Sequence, residues 1–156
     1  MSRRKIFKVI IILAIVGIVS AVSIGVYLFN KPHRDVEAAS IEFRVSNTDL
    51  VTQYLTNPEK ANQKYLDDSG NSSILAVTGK VHSISRDMNN QAVVLLKDEE
   101  QKAGVSCTFT LQTSEQTEKL QVGQSITVKG VIRAGAGYDE DLGLYEDVIL
   151  EKCSIL

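Results

Sequence analysis

"ILAVTGKV" at residues 74–81 and "SITVKGVI" at residues 125–132 are two segments with the alternation of a β-strand, and each contains an interior glycine. Glycine weakens a strand because it has no side chain to pack and loses much conformational freedom on folding. β-type residues continue on both sides of Gly79 and of Gly130, so neither glycine marks the end of its strand. We therefore predict that both are structural glycines, placed where a strongly coiled sheet bends.

Three further strand patterns accompany these two. Alternating or apolar β-type residues predict strands at 74–85, 91–97, 105–111, 125–132 and 147–155, with a brief helix at 114–120. The hairpin turn RDMNN at residues 86–90 joins the first two strands, and a long loop at 133–146 joins the last two. Three strands, a helix and two strands follow the order of an OB-fold, a five-stranded Greek-key barrel. The predicted fold class is therefore mainly β with short helices.

This topology makes particular strands neighbours. The first strand pairs with the fourth, so we expect the backbones at Gly79 and Gly130 to approach each other closely. The third and fifth strands are also neighbours, which brings Cys107 and Cys153 into one region as two buried thiols or as a disulfide. Alternation predicts an aliphatic core formed by Leu75, Val77, Val81, Val94, Leu96, Val105, Cys107, Phe109, Ile126, Val128, Val148 and Leu150.

The segment at residues 47–65 has a helical character. Ser46 or Asn47 is a suitable capping residue at its start. Asn57 followed by Pro58 restarts the pattern, because proline is favoured at the first position of a helix. We expect two short helices, or one helix kinked at Pro58, and we place the OB-fold domain at residues 47–156.

The longest apolar run lies near the N-terminus. Residues 9–29, VIIILAIVGIVSAVSIGVYLF, contain no charged side chain. A helix of about 21 residues is about 30 Å long, which matches the hydrocarbon core of a bilayer. The alternative is a cleaved signal peptide with small residues at 36–39, but the apolar region of a signal is only about 7 to 15 residues long. The run therefore favours an uncleaved transmembrane helix, with the lipid bilayer as a partner.

The charges flanking this run predict its orientation. Basic residues cluster in the N-terminal segment at residues 1–8, whereas those that follow the run are diluted by acidic residues. The positive-inside rule keeps such an N-terminus in the cytoplasm. We expect a single-pass protein of the cytoplasmic membrane, in which a juxtamembrane linker at residues 30–46 leads to a domain outside the cytoplasm.

The net charge of the outer part restricts its partners. All 19 acidic residues follow the apolar run, and four of the 17 basic residues precede it, which leaves 13 basic residues and a formal net charge of −6. An acidic domain repels phosphate backbones. The strands that usually carry aromatic platforms in an OB-fold offer only Phe109, and its alternation with Val105 and Cys107 indicates burial. Nucleic acid is therefore not the expected partner.

Several short motifs occur in a characteristic order: ANQKY (61–65), VTGKV (77–81), VSCTF (105–109), ITVKG (126–130) and DVILEKCSI (147–155). Together they resemble the tRNA-anti-like family of bacterial OB-fold proteins, over roughly residues 48–156. The resemblance implies an OB-fold, often tethered behind an N-terminal membrane segment or signal, with no established activity. The family's name reflects a similarity of fold to anticodon-binding domains and does not establish nucleic-acid binding.

Candidate ligand-binding residues are few. His82, Arg86 and Lys129 supply positive charge on the predicted strands. Tyr138 and Tyr145 lie in the loop that borders the usual ligand face of an OB-fold, where aromatic rings can stack on a sugar or a base. The acidic residues between these tyrosines lack the ligand spacing of a calcium loop, so no metal site is predicted.

The chain also lacks catalytic signatures. It contains no His-Glu-x-x-His, no nucleophile elbow, no Cys-x-x-Cys and no phosphate-binding loop. We expect neither an enzyme nor a cofactor. The predicted function is that of a membrane-anchored extracytoplasmic binding or interaction module in a bacterial envelope, with a protein or an envelope glycan as its ligand. The alternative is binding of single-stranded nucleic acid or an oligonucleotide.

Overall fold

The computed structural model of the chain describes residues 16–20, 22–25 and 36–156. The chain divides into two compact units, residues 1–34 and residues 35–156. The second unit contains every strand that the structure describes.

The first unit includes the apolar run. Residues 16–20 and 22–25 are helical, and their side chains are exposed. The rest of the transmembrane helix predicted at 9–29, and the basic segment at 1–8, lie outside the described residues. Within the part of the chain that the structure describes, no helix combines the length and apolarity needed to cross a bilayer.

Within residues 36–156, which the structure describes, the second unit has eight strands, two α-helices and one 3₁₀ helix. In chain order they are β1 (Phe43–Ser46), α1 (Asn47–Thr56), α2 (Pro58–Tyr65), β2 (Ile74–Arg86), β3 (Ala92–Leu96), β4 (Val105–Phe109), the 3₁₀ helix (Thr113–Thr117), β5 (Ser125–Ala134), β6 (Gly137–Asp139), β7 (Leu144–Glu146) and β8 (Val148–Ile155). The main sheet has the order β1-β2-β3-β4-β8-β5, and a further pairing between β2 and β5 closes it. The predicted five-stranded OB-type barrel is confirmed.

Strand β2 closes the barrel because it changes partner along its length. Residues 74–80 pair with β5, and residues 81–86 pair with β3. The register shifts between Val81 and Ser83, where the partner changes. Such an irregularity increases the local twist and lets one strand serve both sides of a barrel. All twelve predicted core residues are buried inside this barrel.

The two glycines do not approach each other as predicted. Gly79 is opposite Ile126, and Gly130 is opposite Leu75, so the two glycines do not face each other. A Cβ atom at Gly79 would lie 2.9 Å from Cγ of Asn47, and a Cβ atom at Gly130 would lie 2.7 Å from Sγ of Cys153. The expected close approach of two backbones is therefore wrong, and each glycine makes room for a side chain.

Strand β8 contains a bulge at Lys152. Leu150 is opposite Cys107 and Cys153 is opposite Phe109, so β8 has one residue more than β4 between these pairs. Lys152 adopts a φ of 53°, in the left-handed region that side chains rarely occupy. The extra residue allows both Leu150 and Cys153 to point into the core.

The helices begin where the capping residues predict. The Ser46 hydroxyl accepts a hydrogen bond from the Asp49 N–H (3.0 Å), and the Asn57 side chain accepts one from the Lys60 N–H (3.0 Å). Pro58 starts α2, so two separate helices form, and the kinked single helix is excluded. The predicted helix at 114–120 is instead the 3₁₀ helix, which has no side-chain cap.

The predicted linker at 30–46 does not remain separate from the domain. Its first residues, 30–35, lie outside the described residues, whereas β1 pairs in parallel with β2. Val36 is buried with Ile74 and Val131, so the chain joins the barrel unit well before residue 47.

Replacing Gly130 with alanine is expected to lower the free energy of unfolding by about 1–3 kcal/mol, because the new Cβ would overlap Sγ of Cys153. The cost should be smaller in a Cys153→Ala background, where that sulfur is absent, and urea titrations of the four variants measure the difference. Gly137→Ala is the control, since its Cβ would meet only a Glu146 carboxylate oxygen at 3.7 Å. An equal cost in both backgrounds would contradict the proposed contact.

Candidate ligand-binding site

The loop predicted at 133–146 contains a small β-hairpin. Strands β6 and β7 form their own two-stranded sheet, in which Tyr138 is directly opposite Tyr145. The turn is stabilised by the Asp139 side chain, which accepts a hydrogen bond from the Leu142 N–H (2.9 Å). Gly143 completes the turn with a φ of 66°, a conformation that glycine adopts without strain.

The two tyrosines of this hairpin form an aromatic pair. Their ring centroids are 4.8 Å apart and the ring planes are inclined by 50°. Tyr138 is 53% exposed, and Tyr145 is half-buried. The Lys102 ammonium donates a hydrogen bond to the Tyr145 hydroxyl (3.2 Å) and lies 5.1 Å from the centre of its ring. The predicted ligand residues Tyr138 and Tyr145 are thus held together beside a cation.

A cleft of about 500 Å³ lies between this hairpin and the helices. Leu55 near the end of α1 and Pro58 at the start of α2 supply an apolar wall. The cleft is lined by Tyr54, Leu55, Pro58, Lys102, Gly137, Tyr138 and Tyr145. A concave, mainly apolar site with a few polar groups is typical of small-ligand sites, and we refer to it as the hairpin cleft.

Tyr54 is the buried member of this lining, with 1% of its surface exposed. Its ring packs on Gly135, where a Cβ atom would overlap the ring carbons. Its hydroxyl is buried and has no hydrogen-bond partner among the described residues. Burial, with a smaller contribution from Tyr65, raises the pKa of Tyr54 to about 12. The hydroxyl therefore stays protonated at physiological pH, as an unused donor and acceptor.

The predicted cationic residues do not join the tyrosines. His82 lines a cleft with Lys80 and Lys97, and Arg86 lines another with Ile84. Arg86 donates a hydrogen bond to the Asn90 carbonyl (2.8 Å) and thereby stabilises the hairpin turn between β2 and β3.

Lys129 is buried and holds the N-terminal segment of the domain through hydrogen bonds. Its ammonium donates hydrogen bonds to the backbone carbonyls of Glu37 (2.7 Å) and Ala39 (2.6 Å). A buried ammonium requires such partners, since an unpaired charge in the interior is costly. The structure therefore places Lys129, a predicted ligand-binding residue, in the interior with its ammonium bound to backbone carbonyls.

Cys107 and Cys153 are both free and fully buried. Burial and the neighbouring Cys107 thiol raise the pKa of Cys153 well above its usual range, which disfavours the reactive thiolate. The sequence left open a disulfide or two buried thiols, and the structure has two buried thiols.

The outer face of β3 and β4 offers no stacking platform. Its half-buried residues are Val93, Leu95, Ser106 and Thr108, which carry neither charge nor an aromatic ring. Phe109 points into the core, as its alternation predicted. The face that usually binds single strands in OB-folds therefore lacks aromatic residues on these two strands.

Sequence reasoning missed Lys102, Tyr54, Leu55 and Pro58 as part of the site. Lys102 lies 43 residues before Tyr145, in a charged loop with no motif. Tyr54 and Leu55 follow an ordinary helical pattern, so their place beside the hairpin depends on how α1 docks on the barrel.

Comparisons with known proteins agree with this architecture. A family model described as tRNA_anti-like matches residues 1–149. The fold is similar to the crystal structure of a lipoprotein from Klebsiella pneumoniae subsp. pneumoniae MGH 78578, provisionally described as nucleic acid-binding. The two chains are 20% identical, the similarity covers 80% of this chain and 98% of that one, and the TM-score is 0.54. At this identity the likeness shows a shared fold. A sequence search among curated proteins finds no significant match.

Because the Tyr54 hydroxyl is unpaired and the Tyr65 hydroxyl is paired, we expect their replacement by phenylalanine to affect stability differently. Tyr54→Phe should leave the free energy of unfolding unchanged or raise it by about 1 kcal/mol, because it removes a buried polar group without a partner. Tyr65→Phe is the matched comparison and should lower it by about 1 kcal/mol, since its hydroxyl bonds to the Gln53 side chain (3.0 Å). Urea unfolding measures both, and a loss of stability in Tyr54→Phe would show that its hydroxyl has a partner.

Proposed function

The chain belongs to the tRNA-anti-like family, and from this premise we propose that it is an OB-fold binding module anchored in the cytoplasmic membrane, with its barrel outside the cytoplasm. The binding site is the hairpin cleft. The observation that carries this proposal is the Tyr138–Tyr145 pair, which is held at the rim of a cleft and lies in the loop between the fourth and fifth barrel strands, one of the loops that OB-folds use for ligands.

Support for the anchor comes from the sequence. The uncharged run at residues 9–29 matches the thickness of a bilayer, and the basic segment before it favours a cytoplasmic N-terminus. The structural neighbour is a lipoprotein, a class that is held at a membrane through covalently attached lipid. A transmembrane helix would give this barrel the same attachment to a membrane surface.

The ligand class that the cleft supports best is an envelope glycan. A sugar ring presents apolar C–H groups that can lie on the exposed Tyr138 ring and its neighbour Tyr145. The Lys102 ammonium already donates to the Tyr145 hydroxyl, and the hairpin carries acidic residues at 139–141. These charges suit an uncharged ligand better than a polyphosphate chain. No nucleophile paired with a general base lines the cleft, so the proposal includes no catalytic step.

Single-stranded nucleic acid is the second candidate. It is favoured by the provisional description of the Klebsiella lipoprotein and by the use of OB-folds for oligonucleotides. Two observations favour a glycan over nucleic acid. The chain after the apolar run has a net charge of −6, and the outer face of β3 and β4 carries neither charged nor aromatic side chains.

A direct titration tests the proposal. The full-length chain in detergent micelles is titrated with glycan fragments released from a bacterial envelope, and separately with a labelled oligonucleotide at two salt concentrations. We expect glycan binding that Tyr138→Ala weakens by about fivefold to tenfold, because a favourable aromatic contact contributes about 1 kcal/mol. Met88→Ala is the control, since this fully exposed side chain lies on the turn between β2 and β3. Steeply salt-dependent oligonucleotide binding without glycan binding would contradict the glycan proposal and favour nucleic acid as the ligand.

A further inference from the structure

The hairpin cleft contains three kinds of surface, each suited to a different part of a ligand. The tyrosine pair offers aromatic faces, and Leu55 and Pro58 offer an aliphatic wall. Beneath these surfaces, Tyr54 carries a neutral hydroxyl that is buried in the structure and that no described residue uses. A ligand that matches all three has a ring with an apolar face, a small apolar substituent and a neutral hydrogen-bonding group beside it.

The strongest evidence for such a ligand is the unused Tyr54 hydroxyl, because buried polar groups are almost always paired. An orphaned hydroxyl destabilises the folded state, and phenylalanine would fill the same space without that penalty. Tyr65, whose ring centre is 6.2 Å away, shows the usual arrangement, since its hydroxyl donates to the Gln53 side chain. A bound ligand would give the Tyr54 hydroxyl the partner that the described residues do not supply.

We propose that the hairpin cleft binds a neutral sugar ring carrying an acetamido group, whose carbonyl oxygen accepts a hydrogen bond from the Tyr54 hydroxyl. The acetamido methyl group then lies against Leu55 and Pro58, and the sugar ring stacks on the tyrosine pair. This inference rests on the proposed glycan-binding function and names the sugar class and the residue that selects it.

Access to the hydroxyl requires the hairpin to shift, because the oxygen is shielded from solvent. Within the described residues, β6 and β7 pair only with each other, so the hairpin can move without breaking a ladder of the barrel. Its movable wall carries Tyr138 and Tyr145, whereas Tyr54 stays on α1. Ligand binding is thus expected to coincide with an outward movement of the hairpin.

The experiment compares two trisaccharides on the full-length chain in detergent micelles. Chitotriose carries an acetamido group on each ring, and cellotriose carries a hydroxyl group at the same position. We expect chitotriose to bind at least about fivefold more tightly, because its methyl groups bury apolar surface. Tyr54→Phe should weaken chitotriose binding by about fivefold, as expected for one lost hydrogen bond. Tyr65→Phe should change the chitotriose affinity by less than about twofold, because its hydroxyl bonds to Gln53.

The outcomes separate this inference from the function on which it rests. Equal affinities for the two trisaccharides, both weakened by Tyr138→Ala and unaffected by Tyr54→Phe, would overturn the inference and leave glycan binding in place. Absence of binding to either trisaccharide and to envelope glycan fragments would overturn both. If Tyr54→Phe fails to fold, equal affinities of the unmodified chain for the two trisaccharides would still overturn the inference.

Discussion

The double pairing of β2 is the constraint on which the rest of the structure depends. Its first half pairs with β5 and its second half with β3, with a shift of register between Val81 and Ser83. A strand can serve two partners in this way only in a strongly coiled sheet, and this coiling closes the barrel. Strand β8 fills the remaining gap between β4 and β5, so the hairpin that precedes it is anchored at the barrel rim.

Positions without a side chain determine how other groups pack on this barrel. Asn47 at the start of α1 lies on Gly79, and the Tyr54 ring lies on Gly135. Helix α1 therefore contacts the barrel closely at two points, which brings Tyr54 to the root of the hairpin. Cys153 lies on Gly130 in the core, supported by the bulge at Lys152. These contacts explain why weak strand residues occur within otherwise strong strands: each one admits a neighbouring side chain.

The chemistry of the hairpin cleft differs from that of an OB-fold surface built for a charged strand. Its aromatic rings lie on a hairpin, and its single lysine is engaged by Tyr145. None of the three predicted cations lies at this site: Arg86 stabilises a turn, Lys129 binds the carbonyls of the segment before β1, and His82 lines a separate cleft. What remains at the site is aromatic, aliphatic and hydroxyl surface, which is the basis for proposing a neutral ligand.

Local patterns in the sequence by themselves determined the five barrel strands, the helix caps at Ser46 and Asn57, and the twelve core residues, because alternation and capping act between residues close in the chain. Tertiary structure alone decided which distant groups meet. Lys102 reaches Tyr145 across 43 residues, and Lys129 reaches Glu37 across 92. Such contacts depend on strand register, and one extra residue, as at Lys152, reverses the direction of the side chains that follow it. No local pattern specifies that shift.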